Sequence, residues 1–175
     1  MIDYCEWRSP LGTMLLAAGD DGLCGAYFVG QKHFPRLDEH WRRGDSALLA
    51  QARRELEEYF AGRRQRFSLP LAPRGTAFQR RVWRALERVA YGATLSYGEL
   101  ARRLGAPGAA RAVGAAVGRN PLSLFIPCHR AVGGDGALTG YAGGIERKRA
   151  LLELERGVML QPGRSEPCAA ATSPI

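Results

Sequence analysis

Long apolar runs are missing from this chain of 175 residues. Nothing in it approaches the roughly 20 consecutive apolar residues that cross a bilayer, which excludes a helical membrane span. The opening MIDYCEWRSP lacks the basic stretch and apolar core of a secretion signal, so a soluble cytoplasmic protein is expected. Cysteine is also scarce. Cys5, Cys24, Cys128 and Cys168 are too few and too scattered for a disulfide framework, and reduced thiols are expected. Cys5, Cys24, His33 and His40 follow no zinc-ligand spacing, so no metal is expected there, and no cofactor. Lysine is nearly absent, with Lys32 and Lys148 alone among 25 basic residues, and no internal repeat is present.

What is present is a hydrophobic content of 46%, enough for a core in one domain or two small, closely packed ones. The formal net charge is +8 and unevenly spread. Between Arg74 and Arg119 nine arginines stand against two acids, Glu87 and Glu99, which leaves +7 in about a quarter of the chain. An arginine-rich segment of helical pattern predicts a polyanion partner; a solvated helix face is the plain alternative.

Along the chain, TMLLAA and LCGAYFVG flank GDDG, a hairpin pattern with Asp21-Gly22 as its turn. QKHFPRLDEHWRRGD shows no sustained period and reads as an irregular connection. Ser46 caps a predicted helix over roughly 47–61 that Gly62 ends, with Leu48, Leu49, Ala52, Leu56, Tyr59 and Phe60 as its apolar face. RFSLPLAPRG is an extended piece closing at a Pro/Gly boundary. The boundaries expected are 1–74 for a sheet-and-helix domain, 75–160 for a mostly helical domain and 161–175 for a flexible tail carrying Cys168.

The second domain opens on a capping box, Thr76 with Gln79, followed by Phe78, Val82, Leu86 and Val89 at helical spacing. Ser96 and Glu99 repeat the box for a short helix that Gly105 closes, and a further helix runs to Asn120-Pro121. Two short helices about a tight turn give a helix-turn-helix pattern. The second is almost devoid of side chains: from Ala109 to Gly118 only Arg111 is large and polar. A major-groove reader projects several Arg, Asn or Gln side chains. This helix has nearly none, but is slim enough for a minor groove or for tight packing on another helix. Downstream, HRAVGGDGALTGYAGG reads as a glycine-rich loop turning at Asp135-Gly136, before a last helix, IERKRALLELE.

Between these elements, IPCHR sets Cys128 beside His129. A free thiol is only a few per cent thiolate at neutral pH, and a basic neighbour raises that fraction. A histidine used as a base needs an acid to fix its tautomer, and the last helix offers Glu146, Glu153 and Glu155.

IPCHR, preceded by RAVGAAVGRNP and followed by GALTGYAGGIERKRALLELE, resembles the O6-alkylguanine-DNA alkyltransferase family, with the family's spacing from about Thr76 to Glu155. The resemblance implies a ribonuclease-H-like α/β domain with a small antiparallel sheet and a helix, followed by a winged-helix-like domain. It implies a single copy bound to alkylated double-stranded DNA through the minor groove, with the damaged guanine flipped out. Cys128 then accepts the alkyl group from guanine O6 in one irreversible, stoichiometric step, thymine O4 being left open as a second substrate. His129 acts as base through a water, and Glu155 as the acid behind it. Tyr97 donates to the leaving guanine, and Asn120 braces the turn before the active-site strand. Gln79, Tyr97, Arg111, Gly114 and Arg119 lie at the DNA, with Arg111 intercalating; Tyr97, Tyr141 and Ala142 line the base pocket. Ala142 stands where some relatives carry serine, which removes a side-chain donor to the guanine oxygen. Two other classes compete: a lesion-binding protein without transfer, disfavoured by the presence of Cys128, and a cysteine hydrolase, which needs an oxyanion hole and turnover.

Overall fold

The first half of the chain is built around a strand buried on both faces. In a computed structural model, which describes residues 1–158 and residue 160, β1 (Ile2–Ser9), β2 (Gly12–Gly19) and β3 (Gly22–Phe28) form an antiparallel meander. The short β4 (Trp41–Arg43) joins parallel to β1, giving the order β3-β2-β1-β4. In β2, Met14, Leu16 and Ala18 belong to the main core. Leu15 and Ala17 belong to a smaller cluster on the other side, with Ile2, Tyr4, Tyr27, Phe34 and Trp41. The segment expected to be irregular thus serves the sheet, because Phe34 and Trp41 within it cover the outer face. Three residues of β4 are too few to show a period, which is why composition hid the strand.

The hairpin is displaced by one residue from its expected turn. Gly19 pairs with Gly22, so Asp20-Asp21 form the loop instead of Asp21-Gly22. Gly22 sits at φ +146°, and a Cβ there would lie 2.6 Å from the Pro70 carbonyl oxygen. Only glycine allows the linker to run along β3, where Leu23 N–H donates to Pro70 and Ala72 N–H to Leu23.

Helix α1 (Ala47–Phe60) is capped by Ser46, whose hydroxyl accepts from the Leu49 N–H, and packs Leu49, Ala52, Leu56 and Tyr59 onto the sheet. Helix α2 (Ala77–Glu87) carries the complete Thr76–Gln79 capping box. The box predicted at α3 (Tyr97–Arg103) is half made: Ser96 accepts from the Glu99 N–H, while the Glu99 carboxylate pairs with Arg102 and Arg103 instead. Helix α4 (Ala110–Gly118) buries Val113, Ala116 and Val117 against α2 and α3, and the Trp83 indole donates to the Ala116 carbonyl at 2.9 Å. The inner face packs tightly, one of the two expectations for so slim a helix, and Arg111, Ala112, Ala115 and Arg119 remain exposed. Strand β5 (Leu95–Ser96) pairs with β6 (Ala131–Val132), and α5 (Ile145–Glu155) closes the domain. Among the described residues no helix is long and apolar enough to cross a membrane. Residues 161–175, expected to form a flexible tail and including Cys168, lie outside the described residues.

The two halves share an edge. Beyond the linker, β3 is met by the segment after Asn120: Ala26 N–H donates to Pro121, and Ser123 N–H donates back to Ala26. The sheet thereby fixes the chain that leads to Cys128.

Candidate active site

Between α4 and Cys128 the chain makes a tight turn whose geometry rests on Asn120. Its side-chain amide donates to the Ile126 carbonyl at 2.9 Å, and its side-chain oxygen accepts from the Leu122 N–H at 2.9 Å. Both groups are buried, so one side chain satisfies both ends of the turn. At its tip Leu124 lies at φ +75° with its side chain in the core. A left-handed leucine costs on the order of 1–2 kcal/mol, which packing must offset. Cys128 then begins a single 3-10 turn, Cys128–Arg130, and not the strand expected there. Pro127 precedes this turn, and the thiol is buried.

Cys128 is buried, and this pushes its thiol pKa up. The Asn120 amide, the Lys148 cation and nearby backbone N–H groups oppose the shift without cancelling it. The resting group is a thiol, a correction to the enriched thiolate that a neighbouring histidine suggests. Burial likewise lowers the pKa of His129, outweighing the upward pull of Glu155. The imidazole is neutral at neutral pH. Its Nε2 lies 2.7 Å from Glu155 Oε1; a carboxylate only accepts, so Nε2 carries the proton and Nδ1 holds the free lone pair. Nδ1 is buried with no protein partner among the described residues.

Glu155 gathers donors from four residues. Besides His129, Oε1 accepts from the Tyr59 hydroxyl at 2.8 Å and Arg130 Nη2 at 2.9 Å, while Oε2 accepts from Arg130 Nε at 2.9 Å and the Gly92 N–H at 3.3 Å. Burial raises its pKa, but the hydrogen bonds from His129 and Arg130 prevail and hold it at about 2. Neither Glu146 nor Glu153 reaches this position; both are exposed.

Tyr97, the first residue of α3, donates to the Thr139 carbonyl at 3.0 Å. Lys148 Nζ donates to the same carbonyl at 2.9 Å and to Ala131, and lies 5.8 Å from the Tyr97 ring. The ammonium thus ties both ends of the glycine-rich loop to α5. Its burial brings its pKa down to about 8. Gly114 of α4 faces the Tyr97 ring, a Cβ there reaching Cδ1 at 3.8 Å, and Gly140 faces the Tyr97 hydroxyl. Tyr141 is buried with its hydroxyl unpartnered among the described residues; a Cβ on Gly143 would come within 2.8 Å of its ring. Ala142 is half-buried, and its carbonyl accepts from the Lys32 N–H.

Comparison with known proteins decides what this constellation belongs to. The model of the 6-O-methylguanine DNA methyltransferase ribonuclease-like domain matches residues 4–73, and that of the same family's DNA binding domain matches residues 77–157. The chain belongs to the 6-O-methylguanine DNA methyltransferase family. It is 49% identical over 156 residues to the methylated-DNA–protein-cysteine methyltransferase of Mycolicibacterium paratuberculosis, covering 89% of this chain and 93% of that one. The constitutive Bacillus subtilis enzyme of that name is 44% identical over 159 residues, covering 87% and 94%. A crystal structure of Mycobacterium tuberculosis OGT in complex with DNA superposes with a TM-score of 0.84 at 47% identity, covering 89% of this chain and 94% of that one.

As the fold of a 6-O-methylguanine DNA methyltransferase, the structure groups the expected residues in two places. Asn120, Tyr97 and Tyr141 lie near Cys128, and His129 bonds to Glu155, with Ala142 next to Tyr141 in the chain, while Arg111 and Arg119 are exposed at α4. Gln79 stands apart, its side-chain oxygen used in the α2 cap. Cys5, Cys24, His33 and His40 do not converge. Among the described residues the one cluster of metal-ligating atoms is the exposed Asp38, Glu39 and His40, and Cys5 instead accepts from Arg53. Three residues of the site escape sequence reasoning. Arg130 lies within IPCHR itself, and Lys148 has a signal as one of two lysines in an arginine-rich chain. Tyr59 has none, since its hydroxyl is used 96 residues away.

Proposed function

We propose that the protein repairs alkylated guanine in duplex DNA by moving the alkyl group from O6 to Cys128 Sγ, once per molecule. The observation that carries this reading is the buried Cys128 beside a neutral His129 whose second nitrogen is fixed by Glu155. His129 Nδ1 takes the thiol proton through a water, and the charged imidazole faces the Glu155 carboxylate. The thiolate attacks the alkyl carbon, the carbon–O6 bond breaks, and its electron pair passes to the guanine. Tyr97 turns its hydroxyl from Thr139 to the leaving base, which gains a proton as the thiol loses one. The product thioether is not hydrolysed, so turnover is one.

DNA is bound by a single copy through the minor groove. A helix with small residues and two arginines on its outer face fits between the backbones, and Arg111 fills the space of the flipped nucleotide. Flipping favours a lesion, whose weak pairing lowers the few kcal/mol that unstacking costs. Tyr141 and Ala142 contact the flipped base, and Asn120 holds the turn that carries Cys128. Such a protein acts in the cytoplasm, with no cofactor.

The test is transfer of label. Duplex DNA carrying radiolabelled O6-methylguanine is incubated with the protein and with Cys128→Ala; up to one equivalent of label moves to the wild type and none to the variant. Label released into solution, or repeated turnover, would overturn the proposal in favour of a hydrolase.

A further inference from the structure

The geometry points to Tyr59, a residue of the sheet-and-helix half, as a positioning residue that sets the basicity of His129 through Glu155. The inference rests on the proposed role of His129 as the base for Cys128.

Tyr59 lies in α1 and is 1% exposed, yet its hydroxyl reaches into the other half of the molecule to donate to Glu155 Oε1 at 2.8 Å. Burial, with the Glu155 charge behind it, raises the phenol pKa well above its ordinary value, so the group remains a donor. Oε1 therefore serves three donors, from Tyr59, His129 and Arg130, and Oε2 serves two more, from Arg130 and Gly92. A carboxylate offers about four lone-pair sites, so five donors compete for its charge. Each bond that Tyr59 or Arg130 draws from Oε1 weakens what Glu155 offers to His129. A weaker acceptor stabilises the imidazolium less, which keeps His129 neutral and available as a base.

The groups that bear on this balance come from several elements. His129 faces Glu155 and Lys148 of α5 and Arg130 of its own turn. Glu155 faces His129 and Arg130, and its charge is felt by Tyr59 of α1, by Tyr91 before β5 and by Tyr141 of the glycine-rich loop. Among the tyrosines, Tyr59 bonds to the carboxylate directly. Its ring has a separate, structural role, packing edge-on to Phe60 and Tyr91 and against Phe67. Tyr59→Phe keeps that packing and removes only the hydroxyl.

Two readouts test the inference in the full chain: the His129 ring, followed by nitrogen-15 NMR against pH, and the single-turnover rate of methyl transfer from duplex DNA against pH. In Tyr59→Phe the His129 titration moves up by about one pH unit, and the acid limb of the rate profile follows. DNA affinity stays unchanged, since Tyr59 lies outside α4. A purely structural role predicts a lower melting temperature with the His129 titration in place, and that result overturns the inference. A titration that moves while the rate profile does not upholds Tyr59 as the tuning group, and removes His129 from the proposed base role instead.

Discussion

The exposed face of α4 and the surroundings of Glu155 lie in one domain and are built on opposite plans. The α4 face is slim, with two arginines, alanines and half-buried glycines, and makes no side-chain bond to its own N-cap. The Glu155 carboxylate accepts five hydrogen bonds from four residues, two of them in segments more than 60 positions away. A surface proposed to approach a duplex gains from having little on it. A site that must hold a proton at one atom gains from leaving no group free to move. The two regions should therefore fail differently when altered, one in affinity and the other in chemistry.

The largest separation is expected from Glu155→Gln. It removes the charge that fixes His129 and leaves the buried Arg130 without its anion, so the transfer rate falls about 100-fold or more and stability falls by about 3 kcal/mol. Affinity for unmodified duplex, measured by fluorescence anisotropy, stays within about twofold of wild type because α4 is untouched. Equal loss of affinity and rate would merge the two regions into one.

Acid should act on the same side of the comparison. Glu155 is held at about 2 against an ordinary 4.5, so its contribution is complete above pH 4.5 and is lost as pH falls toward 2. That difference amounts to about 3 kcal/mol. His129 adds to it: its lowered pKa means that the unfolded chain takes up the proton first, so stability also falls below the ordinary histidine range near 6.5. Urea melts should give a free energy that declines from pH 7 to pH 3.

Arg111→Ala tests the other region. Repair of duplex DNA weakens by about tenfold, the range of one lost charged contact, while reaction with free O6-alkylated guanine base is unchanged. Equal loss on both substrates would remove Arg111 from the flipping step.

The two regions also differ in how far the sequence exposes them. Thr76 with Gln79, Ser46, Ser96 and the run of small residues in α4 are local signals, because a cap or a helix face is defined within four residues. IPCHR locates the proposed nucleophile and its histidine. The network behind them is not local: Tyr59 is indistinguishable in sequence from a core aromatic, and Gly92 contributes only its backbone. The state of Cys128 is also illegible, since burial is a property of the whole fold. The meander's first strand, β1, and β4 escape for another reason. Ile2–Ser9 alternates charged and apolar residues on a half-exposed face, and Trp41–Arg43 is recognisable only from its partner, β1.

The smallest expected effect gives the sharpest test of why α4 is slim. A Cβ on Gly118 meets nothing within 4 Å, and one on Gly114 meets only the Tyr97 ring, at an ordinary 3.8 Å. Neither glycine has a positive φ. The protein itself therefore has no need of glycine at either position, and alanine should stabilise the helix by up to about 1 kcal/mol at each. Thermal melts of Gly114→Ala and Gly118→Ala should rise by about 2–4 °C. If the outer face is kept slim for DNA, affinity for duplex falls a few-fold in Gly114→Ala, which adds a methyl group between α4 and the Tyr97 pocket, even as the fold gains stability. A variant that is both more stable and binds duplex as tightly would show that DNA binding does not require glycine at position 114.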